Sequence, residues 1–241
     1  RLIKVLTPSK DRVEPKCPVA RQCGGCQIQE MRYEAQLAFK QKMVQNNLER
    51  IGGLSDFEMY PVIGMETPYA YRNKAQFPVG EDKDGNIVIG FYAGRTHHIV
   101  EQTDCCIGAP ENGEVLRKVK AYMQKNQIRP YNEEHHSGIV RHILIRTGYH
   151  TKEIMVCLIV NAAKASCLKN AEQLTESLRE MDGMTSVMVN FNTEKTNVIL
   201  GKKSEVLWGQ PYIEDFIGDV KYQISPQSFF QVNPMQTEKL Y

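Results

Sequence analysis

Three thiols fall within ten residues, in the run Cys17-x5-Cys23-Gly24-Gly25-Cys26. Thiolates at such spacing bind soft metal centres, and the glycine pair lets the chain turn tightly with its amides near the sulfurs. A closed site needs a fourth ligand, and the adjacent Cys105 and Cys106 offer two candidates beyond the strand-like Ile99-Val100. Zinc sites built from four cysteines usually take them as two short pairs, and neither the five-residue gap nor two adjacent cysteines makes a good second pair. Iron–sulfur centres accept a tight trio plus a remote cysteine more readily, although a plant-type ferredoxin has four residues in its first gap and not five. The spacing therefore favours an iron–sulfur cluster, leaving open a zinc ion or a set of reduced thiols without metal. Cys157 lies inside the apolar run Ile154–Val160 and reads as a small buried hydrophobe, and Cys167, at a helix start, reads the same way.

The rest of the composition sets the frame for that site. The chain has 241 residues, 41% hydrophobic and 24% charged, ordinary values for one or two globular domains, which exclude collagen and disorder. No apolar run approaches the roughly 18 residues of a membrane-spanning helix, and the basic start leads into no signal-type stretch, so the expected location is the cytoplasm. Seven cysteines in a reducing compartment argue for ligands and packing and not for disulfides. Net charge is only +2, but residues 1–50 hold ten Lys/Arg against five Asp/Glu, a weak pointer to an anionic partner.

The elements that must position the cysteines follow from periodicity. Leu2–Leu6 reads as a short strand, and residues 13–29 hold too much Pro and Gly for anything but an irregular loop. Leu37, Met43, Val44, Leu48 and Ile51 predict a long amphipathic helix over Met31–Ile51, stopped by Gly52-Gly53. Asp82–Asn86 between two apolar runs predicts a hairpin of 76–79 with 87–92, and Val115, Val119 and Tyr122 predict a helix over 111–126. Two more hairpins are expected, 139–147 with 153–161 and 186–192 with 197–200, separated by a helix over 167–181. A strand and loop over 222–234 then lead into a helix with proline at its first position, running to Tyr241. The fold class is α+β, a central, mainly antiparallel sheet with helices on one face and an N-terminal cysteine-rich loop. An unpaired first strand and an uncapped last helix lead us to expect a chain truncated at both ends.

The motifs in register resemble a known family. Cys-x5-Cys-Gly-Gly-Cys with the long helix after it, Tyr71-Arg72-Asn73-Lys74-Ala75, Gly90-Phe91-Tyr92, Ile99-Val100 running to Asp104-Cys105, Arg141-His142-Ile143 and above all Ser225-Pro226-x-Ser228-Phe229-Phe230-Gln231-Val232-Asn233 are similar to those of the S-adenosylmethionine-dependent RNA uracil-5-methyltransferases. The nearest branch is the iron–sulfur one acting on 23S ribosomal RNA, and the resemblance runs from about Leu2 to Tyr241.

That resemblance implies a [4Fe–4S] cluster on Cys17, Cys23, Cys26 and Cys105, with Cys106 where the family often has proline. It implies three regions: residues 1–10 as the end of an oligonucleotide-binding barrel, 11–220 as the cluster-bearing domain, and 221–241 as the opening of a truncated Rossmann-like methyltransferase domain. In the family a cysteine thiolate adds to carbon 6 of uracil, the enolate attacks the methyl sulfonium, and a base removes the carbon 5 proton. Nucleophile and base lie downstream of the Gln-Val-Asn segment, so no catalytic residue is expected in this chain. Gln231 carries over as a contact to S-adenosylmethionine, with Phe229 in the base or cofactor pocket. The expected task is to position a single-stranded loop of ribosomal RNA, with Arg72, Lys74 and Arg95, and more weakly His97 and His98, beside the aromatic Tyr71, Phe91 and Tyr92. Arg141 and His142 read as a structural polar pair on a strand, and a monomer is expected. The reading outside catalysis is a metal-bearing RNA-binding module.

Overall fold

The computed structural model describes residues 3–241. Its centre is a seven-stranded sheet in the order β3-β2-β1-β4-β5-β6-β7. The strands are β1 (Lys74–Glu81), β2 (Ile87–Tyr92), β3 (Ile99–Glu101), β4 (Val140–Thr147), β5 (Ile154–Val160), β6 (Met184–Phe191) and β7 (Lys203–Gly209). All neighbours are antiparallel except β5 and β6, which run parallel where a hairpin-built sheet would not, so the sheet is mainly antiparallel with one parallel pair. The physical reason is the connection: helix α3 (Ala171–Arg179) carries the chain back over one face before β6 begins, as a parallel pair requires.

Strand β5 is buried at every residue because both faces of the sheet are covered. On one face Val156, Leu158 and Val160 pack with Val115, Leu116 and Val119 of α2 (Asn112–Lys125) and with Leu174 and Leu178 of α3. On the other, Met155, Cys157 and Ile159 pack with Ile213, Ile224 and Phe230. Those three come from the two-stranded ribbon β8 (Ile213–Ile217) and β9 (Val220–Ile224) and the segment after it. Cys157 is accordingly the buried hydrophobe expected, and burial pushes its thiol up to about 12.

Several expectations need correction. Leu2 lies outside the described residues, and Ile3–Val5 adopt no regular structure, so no strand forms in the described part of 2–6. The helix expected over Met31–Ile51 runs as α1 (Tyr33–Asn46), ends in one π-helical turn (Asn47–Ile51), and buries no residue; Phe39, Met43 and Val44 stay half exposed. Glutamine and charged residues interrupt its apolar positions, so no continuous stripe forms. Helix α3 begins four residues later than expected, after a 3₁₀ turn at Ala165–Cys167. The partner of β6 is β7 and not 197–200. The β-branched run there forms a loop instead, its carbonyls taken up by side chains: Asn192 Nδ2 donates to Val198 and Ile199, and Arg141 to Asn192, Glu194 and Thr196. Of the ribbon β8–β9 only the second strand was anticipated. The Gly218-Asp219 pair between Ile217 and Val220 is the short hairpin signal that would have found it. The last helix, α4 (Pro234–Leu240), forms as expected, with Asn233 Oδ1 accepting from the amide of Gln236.

Candidate functional site

The cysteine-rich loop is irregular but tied down. The amide of Val13 donates to Glu30 O at 2.9 Å, Arg12 and Arg21 pair with the Glu30 carboxylate at 3.0 and 2.7 Å, and the amide of Gly24 donates to Tyr92 O at 2.9 Å. A Cβ at position 24 would stand 3.0 Å from both Tyr92 O and the Cα of Gly94, so a side chain there would push the loop away from the end of β2 by a few tenths of an ångström. Cys105 and Cys106 arrive from beyond β3, held as the amides of Ala70 and Arg72 donate to Cys106 O and Ile107 O.

The two segments meet at one cavity of about 390 Å³, onto which Cys17, Cys23, Cys26, Cys105 and Cys106 all open. The tertiary structure thus gathers the predicted set and adds Cys106. Three sulfurs already have N–H donors: Gly25 N to Cys23 at 3.3 Å, Gln29 Nε2 to Cys106 at 3.5 Å, and Gln102 Nε2 to Cys17 at 3.8 Å. Burial raises the thiol of Cys26, and neighbouring Cys105, Cys23 and Cys17 raise it further. Burial and the charges of Cys17 and Cys105 push Cys106 up to about 11. Thiolates here repel one another, so a cationic centre between them would release that repulsion. Among the described residues no three His, Cys, Asp or Glu side chains converge tightly enough to hold a single ion.

Arg72 and Lys74 open onto the same cavity, as does Val232. Lys74 is lowered by burial and by the charge of Arg146. Arg95 is exposed in the β2–β3 turn and lines neither this cavity nor the next, while His97 is taken up by Glu133 at 2.5 Å and stacks on Tyr92. A second cleft of about 330 Å³ lies between α1, residues 62–72 and the start of α4, lined by Tyr33, Lys40, Tyr69, Tyr71 and Arg72. Tyr33 and Tyr69 carried no signal in the sequence, being single aromatics outside any motif. The segment Ser225–Asn233 is fastened to β1 by Asn73, whose Nδ2 donates to Gln231 O at 3.0 Å and whose amide donates to Val232 O at 3.1 Å. Phe229 on that segment is 86% exposed.

Comparison with known proteins gives this geometry a context. The chain is 45% identical over 242 residues to an uncharacterized RNA methyltransferase of Clostridium tetani and 47% identical to one of Halalkalibacterium halodurans, in each case over all of this chain and 52% of the relative. The chain is similar to RNA methyltransferases over its whole length. It spans about half the length of the curated relatives it matches. No family model matches it. Among solved structures, that of the Pyrococcus abyssi tRNA (uracil-54, C5)-methyltransferase in complex with S-adenosyl-L-homocysteine matches with a TM-score of 0.75 and 27% identity, over 98% of this chain and 51% of that one.

Arg141 and His142, expected as a structural polar pair, are both buried on β4. A register shift between Val140 and His142 puts Arg141 at a β-bulge, from which its buried guanidinium reaches the 192–196 carbonyls and lies over the Tyr131 ring. His142 is buried, and burial, with Arg141 beside it, lowers its imidazole from 6.5 to about 4. Because the folded state resists the proton that the unfolded state accepts, the neutral ring's contribution is full above pH 6.5 and is lost as pH falls towards 4. The loss across that window is about 3 kcal/mol. Urea unfolding at pH 7 and pH 4.5 should show it, and His142→Gln should flatten that part of the profile.

Proposed function

We propose that this chain is the RNA-positioning, cluster-bearing part of an S-adenosylmethionine-dependent RNA uracil-5-methyltransferase acting on 23S ribosomal RNA. The observation that carries the reading is the convergence of five thiols from two distant segments on one cavity, beside Arg72, Lys74 and Val232 of the Gln-Val-Asn segment. Whole-length similarity to proteins named as RNA methyltransferases supports it. A cavity of about 390 Å³ lined by five cysteines leaves room for a polynuclear centre, whereas the short Zn–S bonds of a single zinc ion would draw four thiolates together. Cys17, Cys23, Cys26 and Cys105 would hold a [4Fe–4S] cluster, which when bound supplies a rigid cross-link and no step of methyl transfer. The same residues would then join the 13–29 loop to the end of β3.

The chain's own residues bind and orient. Arg72 and Lys74 supply cations for phosphates, Tyr69 and Tyr71 rings on which unstacked bases can lie, and Phe229 and Gln231 a contact for S-adenosylmethionine. Arg95 completes the basic set from the β2–β3 turn. None of the seven cysteines is assigned as nucleophile: five face the cluster cavity, Cys157 is sealed in the core and Cys167 closes a 3₁₀ turn. The reading keeps residues 1–10, 11–220 and 221–241 as the three regions, with a monomer in the cytoplasm. No described helix is long and apolar enough to cross a membrane.

A second substrate has one observation in its favour, since the solved relative is named for a tRNA uracil. The test has two parts. Protein purified without oxygen should carry about four iron and four sulfide per chain and a brown chromophore, lost in Cys23→Ser and kept in Cys157→Ser; one zinc per chain, or colour unchanged in Cys23→Ser, overturns the cluster. Intact protein given S-adenosylmethionine labelled in the methyl group should label 23S ribosomal RNA; label on transfer RNA alone moves the reading to the second substrate, and label on neither overturns both.

A further inference from the structure

The segment Ser225–Asn233 pairs with no strand over most of its length, yet it holds an 86% exposed phenylalanine at a fixed place. Four tethers explain how. The Arg146 guanidinium, on β4 and 2% exposed, donates from one nitrogen to the carbonyls of Pro226 and Ser228, the first at 3.3 Å and the second at very short range. The Ser228 hydroxyl accepts from the amide of Ser225 at 3.0 Å and closes the turn. Phe230 is buried against Ile213 and Ile224, and Asn73 binds Gln231 and Val232 from the other side. With Ser228 pinned and Phe230 buried, the residue between them is turned outward.

Arg146 itself is an expensive way to build a core. It lies opposite Lys74 in the β1–β4 register; among the described residues no carboxylate faces it, and its Nε has no partner. A buried cation compensated only by main-chain carbonyls costs stability that an apolar residue would not.

We propose that Arg146 is a positioning residue which, with Asn73, holds Ser225–Asn233 preformed so that Phe229 and Gln231 meet S-adenosylmethionine without further ordering. The inference rests on the methyl-transfer reading above for its ligand, and on the tethers for its geometry. A segment ordered in advance loses less entropy on binding, so its gain appears in cofactor affinity.

Arg146→Met keeps the apolar stem and removes the fork, and Arg146→Lys keeps the charge but reaches fewer acceptors. In Arg146→Met, amide exchange over 225–233 should quicken by about tenfold or more while β4–β6 stay protected, the loss expected for charge-assisted bonds. Unchanged protection over 225–233, or equal loosening of β4–β6, overturns the tether. In the intact protein, Kd for S-adenosylhomocysteine and KM for S-adenosylmethionine should rise by about tenfold in the Met variant and less in the Lys variant, with kcat and RNA affinity nearly unchanged. A loosened segment with unchanged cofactor affinity overturns the positioning role. Parent protein that binds no S-adenosylhomocysteine overturns the functional reading and the ligand with it, while amide exchange still decides the tether by itself.

Discussion

Asp215→Ala should lower the unfolding free energy by about 4 kcal/mol, because it removes two charge-assisted hydrogen bonds made by a buried carboxylate. The carboxylate is fully buried in β8 and accepts from the amides of Tyr149 at 2.8 Å and His150 at 2.9 Å, in the turn between β4 and β5. Around it the same turn is bound twice more: Thr151 Oγ1 donates to Glu214 O at 2.7 Å, and the amide of Glu214 donates to the Glu153 carboxylate at 2.6 Å. Asp215 is thus the buried link through which the ribbon β8–β9 is held over Met155, Cys157 and Ile159. Urea unfolding measures the loss. The consequence for the core is read by Cys157, fully buried in the parent and expected to react with a thiol reagent only once the ribbon loosens. A loss under about 1 kcal/mol would assign the docking to apolar contact between Ile213, Ile224 and the sheet.

Gly90→Val should detach β3 from the sheet and disorder the delivery of Cys105 and Cys106 to their cavity. In the register Gly90 faces Glu101, and a Cβ at position 90 would stand 1.9 Å from Val100 O and 2.7 Å from the amide of Gln102. Both atoms are main chain, so β3 must move. Beyond it, Gln102 donates to Cys17 Sγ and to Asp104 O, and Cys105 and Cys106 follow within four residues. The expected result is a folded protein, with α2, α3 and β4–β6 still protected from exchange, that no longer retains the cluster proposed above. Retention of the full chromophore in Gly90→Val would show that the cysteine cavity does not depend on the β2–β3 contact. Strand β3 has only three residues, so its loss should cost far less than that of a central strand.

Much of this architecture can be read from local pattern. The hairpin of β1 with β2, the helix α2 and the all-apolar β5 rest on spacing within ten or fifteen residues, where periodicity is a strong signal. The cysteine loop was legible for the same reason, since three of its thiols lie within one short run. What local pattern missed depends on covering surfaces far away in the chain. Whether α1 buries a face, whether β6 pairs with 197–200 or with 203–209, and which way the chain returns from β5 are decided by what else competes for the same surface. In the 192–202 loop it was Arg141, fifty residues earlier, that took the carbonyls a strand would have used.

The site divides along the same line. Residue type and spacing were enough to single out Cys17, Cys23 and Cys26 as a unit, because they lie in one short run, whereas Phe229 and Gln231 were singled out only by the resemblance of their segment to a family motif. Only the folded chain places Cys105 and Cys106, some eighty residues away, on the same cavity, and sets Tyr33 and Tyr69 across a cleft from the start of α4. Arg146 is the plainest case. In sequence it is one more arginine on a strand, with nothing to say whether it faces water or the core. Its burial comes from the ribbon and the Ser225–Asn233 segment folding over that face, about eighty residues downstream. Contacts closed over such distances depend on the sum of all packing around them, which no short stretch of residues carries by itself.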